Sequence, residues 1–313
     1  LNISYQGNAT AFVLDTNSRI SLSNNDSGGT SGADSTSGNT FFGYLAGTNS
    51  ESGSHNNTCI GHKAAGAGTW ANFENNVIIG TDAGKNATGA DQCVIIGQNA
   101  GTAITGSEDV VLIGQGAGAA LTDNVDKVIF IGRSAGATTN DTAATGSVGI
   151  GHTALTALTS GVANTAVGYQ AGVAITTGGE NTCVGEGAGA NITTGGGNTA
   201  IGRWTMNSGG SVITGGANTC IGYQAGQTLA GAGATNTFVG GYAGEDTTTG
   251  TQNVFVGYGT EGNESGCTNQ IAIGYGAIGQ ADNSVTLGND SVTDVYMASD
   301  SGATHTGTVR KDL

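Results

Sequence analysis

Several short patterns in the chain resemble parts of catalytic sites, but none has the full spacing that the chemistry needs. Residues 185–189, Gly-Glu-Gly-Ala-Gly, imitate a phosphate-binding loop, yet the same unit recurs without the strand and helix that such a loop joins. The carboxylate pairs at 108–109 and 245–246 are adjacent in sequence, so their side chains diverge on a strand. The sequence therefore predicts no catalytic residues and no cofactor.

The patterns of metal-binding sequences are also missing. The four histidines stand without a cysteine or carboxylate at ligand spacing: His55, His62, His152 and His305. The glycine- and aspartate-rich nonapeptide of calcium-binding solenoids is not found either. We predict that the chain holds no metal and is not an enzyme; a glycan hydrolase carried on a fibre is the enzymatic alternative.

Bulky side chains that interrupt runs of small residues are the candidates for recognition. Trp204 and Met206 lie in the longest repeat, and Trp70 and Phe73 lie in another enlarged loop. Exposed aromatic residues on loops often contact sugars or proteins. We predict that these four residues contact a receptor; the alternative is that they fill gaps in the packing of the loops.

The composition of the chain indicates that short, repeated elements position these residues. Of 313 residues 59 are glycine and none is proline, and only 10 % are charged where about 25 % is usual. Glycine has no strict period of three, so the chain is not a collagen. With 23 acidic and 8 basic residues, the net charge of −15 would repel nucleic acid. No apolar run approaches about 18 residues, so no membrane insertion is predicted.

One glycine recurs along the chain after a short run of β-branched and aromatic residues, such as 77–79 and 94–96. Runs this short, cut by glycine, are strands rather than helices. These anchor glycines lie 17 to 20 residues apart, with a last step of 14: Gly43, Gly61, Gly80, Gly97, Gly114, Gly132, Gly151, Gly168, Gly185, Gly202, Gly222, Gly240, Gly257, Gly274 and Gly288.

A unit of about 17 residues is too short to hold a strand, a helix and a second strand. The sequence therefore predicts an all-β fold, a parallel β-solenoid of about fifteen coils over residues 39–288. Residues 1–38 would form a lead-in or cap, and residues 289–313 a C-terminal cap or linker.

The predicted register places like residues on top of one another. Gln98 would stack on Gln115, Tyr258 on Tyr275, and Glu186 on Arg203. Four positions before the anchor glycine, nine repeats carry an asparagine that could join an amide ladder or could simply favour a turn. These residues are Asn39, Asn57, Asn76, Asn164, Asn181, Asn198, Asn218, Asn236 and Asn253.

Both faces of each predicted strand are apolar. The first and third residues of a run, such as Val77 and Ile79, share one face, which we expect to fill the coil. The middle residue points the other way, and an apolar stripe of this length needs a cover. We predict that these middle residues form the subunit interface of a homotrimer: Phe41, Ile78, Ile95, Leu112, Phe130, Phe238 and Phe255. The alternative is a flattened coil whose opposite wall packs on them.

Three repeats carry a resemblance to a known family: Asn-Thr-Ala-Val-Gly-Tyr-Gln-Ala-Gly at 164–172, Asn-Thr-Cys-Val-Gly at 181–185 and Asn-Thr-Cys-Ile-Gly-Tyr-Gln-Ala-Gly at 218–226. They resemble the head repeats of YadA-like trimeric autotransporter adhesins, in the form found in marine bacteriophage tail-fibre proteins. The similarity covers about residues 39–288. It implies a left-handed β-roll that trimerises along its length on a virion tail fibre or a cell surface. It also implies attachment to a host-cell surface glycan or protein; a self-assembling extracellular filament is the alternative.

The cysteines help to choose between the phage and adhesin forms. Their number is five, and no paired spacing indicates a disulfide framework. Free buried thiols suit a protein that folds in a reducing cytoplasm, as a phage fibre does, better than one exported through an oxidising periplasm. The cysteines therefore favour the phage form.

Overall fold

The computed structural model describes residues 13–14, 20–21, 38–48, 54–68, 73–122, 125–141 and 144–295. Trp70 lies outside these ranges, as do most of the predicted lead-in at 1–38 and residues 296–313 of the predicted C-terminal cap. Within the described ranges the chain is all-β and contains no α-helix. No helix there could span a membrane.

The strands of the described ranges are very short, and from β3 onward each ends directly before an anchor glycine. Their bounds are β1 Val13–Leu14, β2 Ile20–Ser21, β3 Thr40–Phe42, β4 Thr58–Ile60, β5 Val77–Ile79, β6 Val94–Ile96, β7 Val111–Ile113, β8 Ile129–Ile131, β9 Val148–Ile150, β10 Thr165–Val167, β11 Thr182–Val184, β12 Thr199–Ile201, β13 Thr219–Ile221, β14 Thr237–Val239, β15 Val254–Val256, β16 Ile271–Ile273 and β17 Val285–Leu287.

The strands form two sheets. β1 and β2 pair antiparallel, whereas β3 to β17 make one parallel sheet of 15 strands in chain order. Equivalent residues of neighbouring repeats pair directly, so Thr165 lies opposite Thr182 and Thr182 opposite Thr199. Each repeat is therefore one coil of a parallel β-solenoid, as predicted. Fourteen steps of about 4.8 Å give a stack about 67 Å long.

The anchor glycine is required by the close approach of neighbouring coils. Gly168 has φ +139°, and a Cβ atom at this position would lie 2.5 Å from the carbonyl oxygen of Gly185 in the next coil. Its N–H donates to the oxygen of Ile150 in the preceding coil at 2.8 Å. Because the backbones stack this closely, only glycine fits at the corner.

The middle residue of each strand points into the coil, which corrects the predicted subunit interface. Six of the seven predicted interface residues are fully buried within the single chain: Ile78, Ile95, Leu112, Phe130, Phe238 and Phe255. The seventh, Phe41, is partly buried and packs against this core. The opposite wall supplies their partners, since a Cβ at Gly118 or Gly136 would collide with Leu112 or Phe130. These residues are the core, as the flattened-coil alternative held.

The residue three places after the anchor glycine is small and lies in the wall of the coil opposite the strand. Alanine occupies it in most repeats, and Ala83, Ala100 and Ala171 are fully buried. A larger side chain would meet the strand across the narrow interior. The faces of the strand are thus reversed with respect to our expectation, because the first and third residues point outward.

The predicted asparagine ladder is confirmed in the interior of the stack. The side-chain amide of Asn181 donates to Oδ1 of Asn164 at 3.0 Å and to the carbonyl oxygen of Gly195 at 3.0 Å. The backbone N–H of Asn181 donates to the same Oδ1 at 3.0 Å. This pattern repeats without interruption through Asn198, Asn218, Asn236 and Asn253. Each amide therefore bonds both the coil before it and the turn of the coil after it.

The predicted stacks on the surface are also confirmed. Gln115 Nε2 donates to Gln98 Oε1 at 3.4 Å, and Arg203 Nε lies 3.1 Å from Glu186 Oε2. The rings of Tyr258 and Tyr275 stack with their centroids 5.7 Å apart. The column that follows the anchor glycine is thus exposed and in register.

Candidate functional site

Two of the four predicted recognition residues are buried, so that part of the prediction is wrong. Phe73 and Met206 have no exposed surface, and both belong to the hydrophobic core. Phe73 stands seven places before its anchor glycine, as the buried Ala90 does, and Met206 stands four places after its own, as the buried Gly172 does. Both side chains therefore fill the interior, as the packing alternative held. Trp70 lies outside the described residues.

Trp204 is the predicted recognition residue that reaches the surface. Its ring is half-buried, and the guanidinium carbon of Arg203 lies over it, 3.7 Å from the ring centroid, in a cation–π contact. Arg203 is held in turn by the carboxylate of Glu186 one coil away. The ring of Trp204 is therefore covered on one face by an arginine that is itself paired across neighbouring coils.

Trp204 begins a continuous row of aromatic side chains on the surface, which we call the aromatic row: Trp204, Tyr223, Tyr242, Tyr258 and Tyr275. The centroid distances along it are 6.1, 5.2, 5.4 and 5.7 Å. Tyr258 and Tyr275 are 53 % and 71 % exposed. One ring per coil thus lines the surface across five consecutive coils.

The row depends on a local exchange of positions between Gly241 and Tyr242. Tyr223, Tyr258 and Tyr275 each follow directly after an anchor glycine, but this position in the coil between them is Gly241. A Cβ at Gly241 would lie 3.3 Å from the ring of Tyr258. Tyr242, one place later, supplies the missing ring and meets Tyr223 and Tyr258 edge to face.

The sequence predicted the stack of Tyr258 on Tyr275 but not the rest of the row. The recurrence of tyrosine directly after the glycine was the available signal. The contribution of Tyr242 from a shifted position carried no sequence signal, because it depends on how the turn fills the space above Gly241.

Carboxylates lie beside the aromatic row. Glu261 accepts a hydrogen bond from the N–H of Asp246 at 3.2 Å. Burial, more than the nearby charges of Asp246 and Glu245, raises the pKa of Glu261 to about 7. Loss of water, followed by the influence of Tyr223, Tyr258 and Glu245, raises the pKa of Tyr242. The phenol is neutral at pH 7, and the surroundings of the row are acidic.

Replacing Glu261 with glutamine should weaken the dependence of stability on pH. Below the unfolded pKa of about 4.5 the group is protonated in both states. Between pH 4.5 and the folded pKa of about 7 only the unfolded chain ionises, so the folded state loses stability as the pH rises, and the loss is complete above about pH 7. Above pH 7 we therefore expect Glu261→Gln to be more stable than wild type, by about 1–2 kcal/mol after solvent screening, and near pH 4 to be equal to it. Urea unfolding across this pH range measures the difference.

Glu264→Gln is the matched control, because Glu264 is exposed three residues away. We expect its stability to follow the wild-type pH profile. Equal pH profiles for Glu261→Gln and wild type would contradict the prediction.

The cysteine thiols are poor candidates for nucleophiles. All five are free and buried. Burial raises the pKa of Cys59 and Cys183 to about 12, so neither forms a thiolate near neutral pH. Among the described residues no three His, Cys, Asp or Glu side chains gather into a metal site.

Comparison with known proteins adds no assignment: no protein-family model matches the chain, and no curated protein is significantly similar to it.

Proposed function

We propose that the chain is a structural fibre protein that assembles with copies of itself and attaches a virion or a cell to a surface glycan or protein. It carries no catalytic centre in this proposal. The observation that supports it is the outward face of the 15-stranded sheet, formed by the first and third residues of β3 to β17, which we call the sheet face.

The third column of the sheet face is apolar along the whole stack, and the first column is apolar except where threonine begins seven of the fifteen strands. Its first column consists of Val, Ile and Thr, and its third column of Ile, Val, Leu and one Phe. These side chains are only half-buried in the single chain, and Ile201 and Ile221 are each 37 % exposed. A monomer that left this stripe in water would be prone to association.

The dimensions of the sheet face suit a contact between copies. A strip about 67 Å long and one three-residue strand wide, about 10 Å, covers on the order of 700 Å². A stable interface buries about 800 Å² on each partner. Identical stripes around a rotation axis would cover one another, since equivalent coils of each copy would meet at the same height.

The resemblance to YadA-like head repeats favours three copies and a left-handed coil. It also favours a place on a phage tail fibre or a cell surface, where a rigid rod holds a binding region away from the particle. The fold suits that use, because a stack of identical coils extends in one dimension.

A self-assembling filament is the second candidate, and the ends of the sheet favour it. β3 and β17 are the terminal strands of the parallel sheet. An open strand edge can pair with another chain, so stacks could join end to end. Growth in length with protein concentration distinguishes the filament from a fibre of fixed length.

Charged residues on the sheet face should dissociate the assembly. For the wild type we expect a mass near three times 30.5 kDa. We expect Val167→Lys/Val184→Lys to fall to the mass of a single chain, because buried unpaired ammonium groups would be placed at the axis. Light scattering with small-angle X-ray scattering measures mass and length, and circular dichroism checks that the variant keeps its sheet.

Asn86→Lys is the matched control, since Asn86 is exposed in a turn away from the sheet face. It should keep the wild-type mass. A wild-type protein that is monomeric, or a double variant of unchanged mass, would contradict assembly through the sheet face. A polydisperse rod that lengthens with concentration would favour the filament.

A further inference from the structure

We infer that the aromatic row is a binding surface for a linear, uncharged glycan. This inference rests on the proposed attachment function and specifies its ligand. It does not depend on the number of chains in the assembly.

The row is long, and its rings are closely spaced through tilted, edge-to-face and stacked contacts. Its five rings span four coil steps, about 19 Å. Each ring contacts the next, and Arg203 lies over one face of Trp204, the first of them. Because neighbouring rings already restrict one another, a ligand would pay little conformational entropy to order them.

The chemistry of the rings suits a sugar chain. One face of a pyranose ring often presents C–H groups, which lose contact with water when they stack on an aromatic ring. The exposed tyrosines add hydroxyl groups that can donate or accept hydrogen bonds at the ring edge. The rings are spaced by about the length of one sugar unit, so a linear glycan could meet several of them at once. Several weak contacts on one chain strengthen binding together.

The charges around the row select against an anionic glycan. Glu245 lies beside Tyr242, Asp246 and Glu261 lie close to Glu245, and the whole chain carries −15. The cation at the start of the row, Arg203, is already paired with Glu186. A polyanion would therefore be repelled along most of the row, whereas a neutral chain would meet no such barrier.

The test uses the full chain and its variant Tyr258→Ala/Tyr275→Ala, in which two exposed rings are lost. The probes are neutral linear hexasaccharides of glucose, mannose, xylose and N-acetylglucosamine, with alginate and polysialic acid as anionic probes. Isothermal titration calorimetry should show binding of at least one neutral probe to the wild type. We expect the double variant to lose affinity by about tenfold or more, since each lost ring removes a stacking contact.

Tyr44→Ala is the matched control. Tyr44 also follows an anchor glycine and is 69 % exposed, but it stacks on His62 near the other end of the stack. Its loss should leave the affinity unchanged. Tyr258→Phe/Tyr275→Phe keeps the rings and should lose less affinity than the alanine variant, which guards against misfolding of the latter.

Three results would overturn the inference. They are unchanged affinity in both double variants, binding of only the anionic probes, and a changed molar mass of the alanine variant, which would make the row a contact between subunits. Glycan binding that survives the tyrosine variants would leave the attachment function standing and remove the row from it. Absence of binding to any probe on a broad glycan and protein array would count against both.

Discussion

Alanine in place of Gly168 is expected to destabilise the solenoid by about 4 kcal/mol or more, or to prevent folding of the coils around it. The new Cβ would lie 2.5 Å from the oxygen and 2.7 Å from the carbonyl carbon of Gly185. Both contacts are with backbone, which cannot rotate away as a side chain can. The positive φ of +139° adds strain that any L-residue would feel. Urea unfolding followed by circular dichroism measures the loss.

Gly259→Ala separates backbone strain from the collision. Gly259 has φ +60°, but a Cβ there would meet nothing within 4 Å. We expect it to cost only about 1 kcal/mol, the usual penalty for alanine in the left-handed region. If the two variants were equally stable, the close stacking of anchor glycines would not be what requires them.

The strands and their register could be predicted from the sequence because each repeat carries the same local constraints. The apolar triplet before an anchor glycine is too short for a helix, and the glycine fixes where it ends. The recurring asparagines indicated the interior ladder. An amide stacked on an amide one coil away satisfies donors and acceptors that burial would otherwise leave unpaired.

The direction of the strand faces could not be predicted by alternation alone, because both faces are apolar. The interior is narrow, and the turn after the anchor glycine brings Ala171 and its equivalents against the middle residue of the strand. One signal was available: Thr165, Thr182 and Thr199 begin successive strands, and their hydroxyl groups would be poorly placed in an apolar interior. The middle residues of these strands are small and carry no such groups.

The recognition residues show the limit of composition as a guide to the surface. Enlarged loops with bulky residues predicted exposed side chains, but Phe73 and Met206 stand at positions of the repeat that point inward in other coils as well, and both are fully buried. The aromatic row instead arises from the register of the repeats, with three tyrosines directly after an anchor glycine and with Trp204 and Tyr242 one place later. A stack of coils places equivalent residues about 4.8 Å apart, so even single tyrosines become a surface when they recur.

Leucine in place of Asn198 is expected to cost about 3–5 kcal/mol, although the two side chains have similar size. Asn198 accepts from the backbone N–H and the side-chain amide of Asn218, and it donates to Asn181 and to the oxygen of Gly215. Removing it leaves buried donors and acceptors on both neighbouring coils without partners. Unfolding in urea, with amide hydrogen exchange to locate the opening, measures the effect.

The stack itself shows that the position tolerates an apolar residue when its neighbours are apolar too. Val110 and Val128 occupy the equivalent place in consecutive coils, where no amide above or below needs a partner. The cost of Asn198→Leu therefore comes from interrupting the ladder rather than from the leucine. Asn86→Leu on the exposed turn should change stability by less than about 0.5 kcal/mol. If Asn198→Leu were equally mild, the ladder would be a consequence of the turn geometry and not a source of stability.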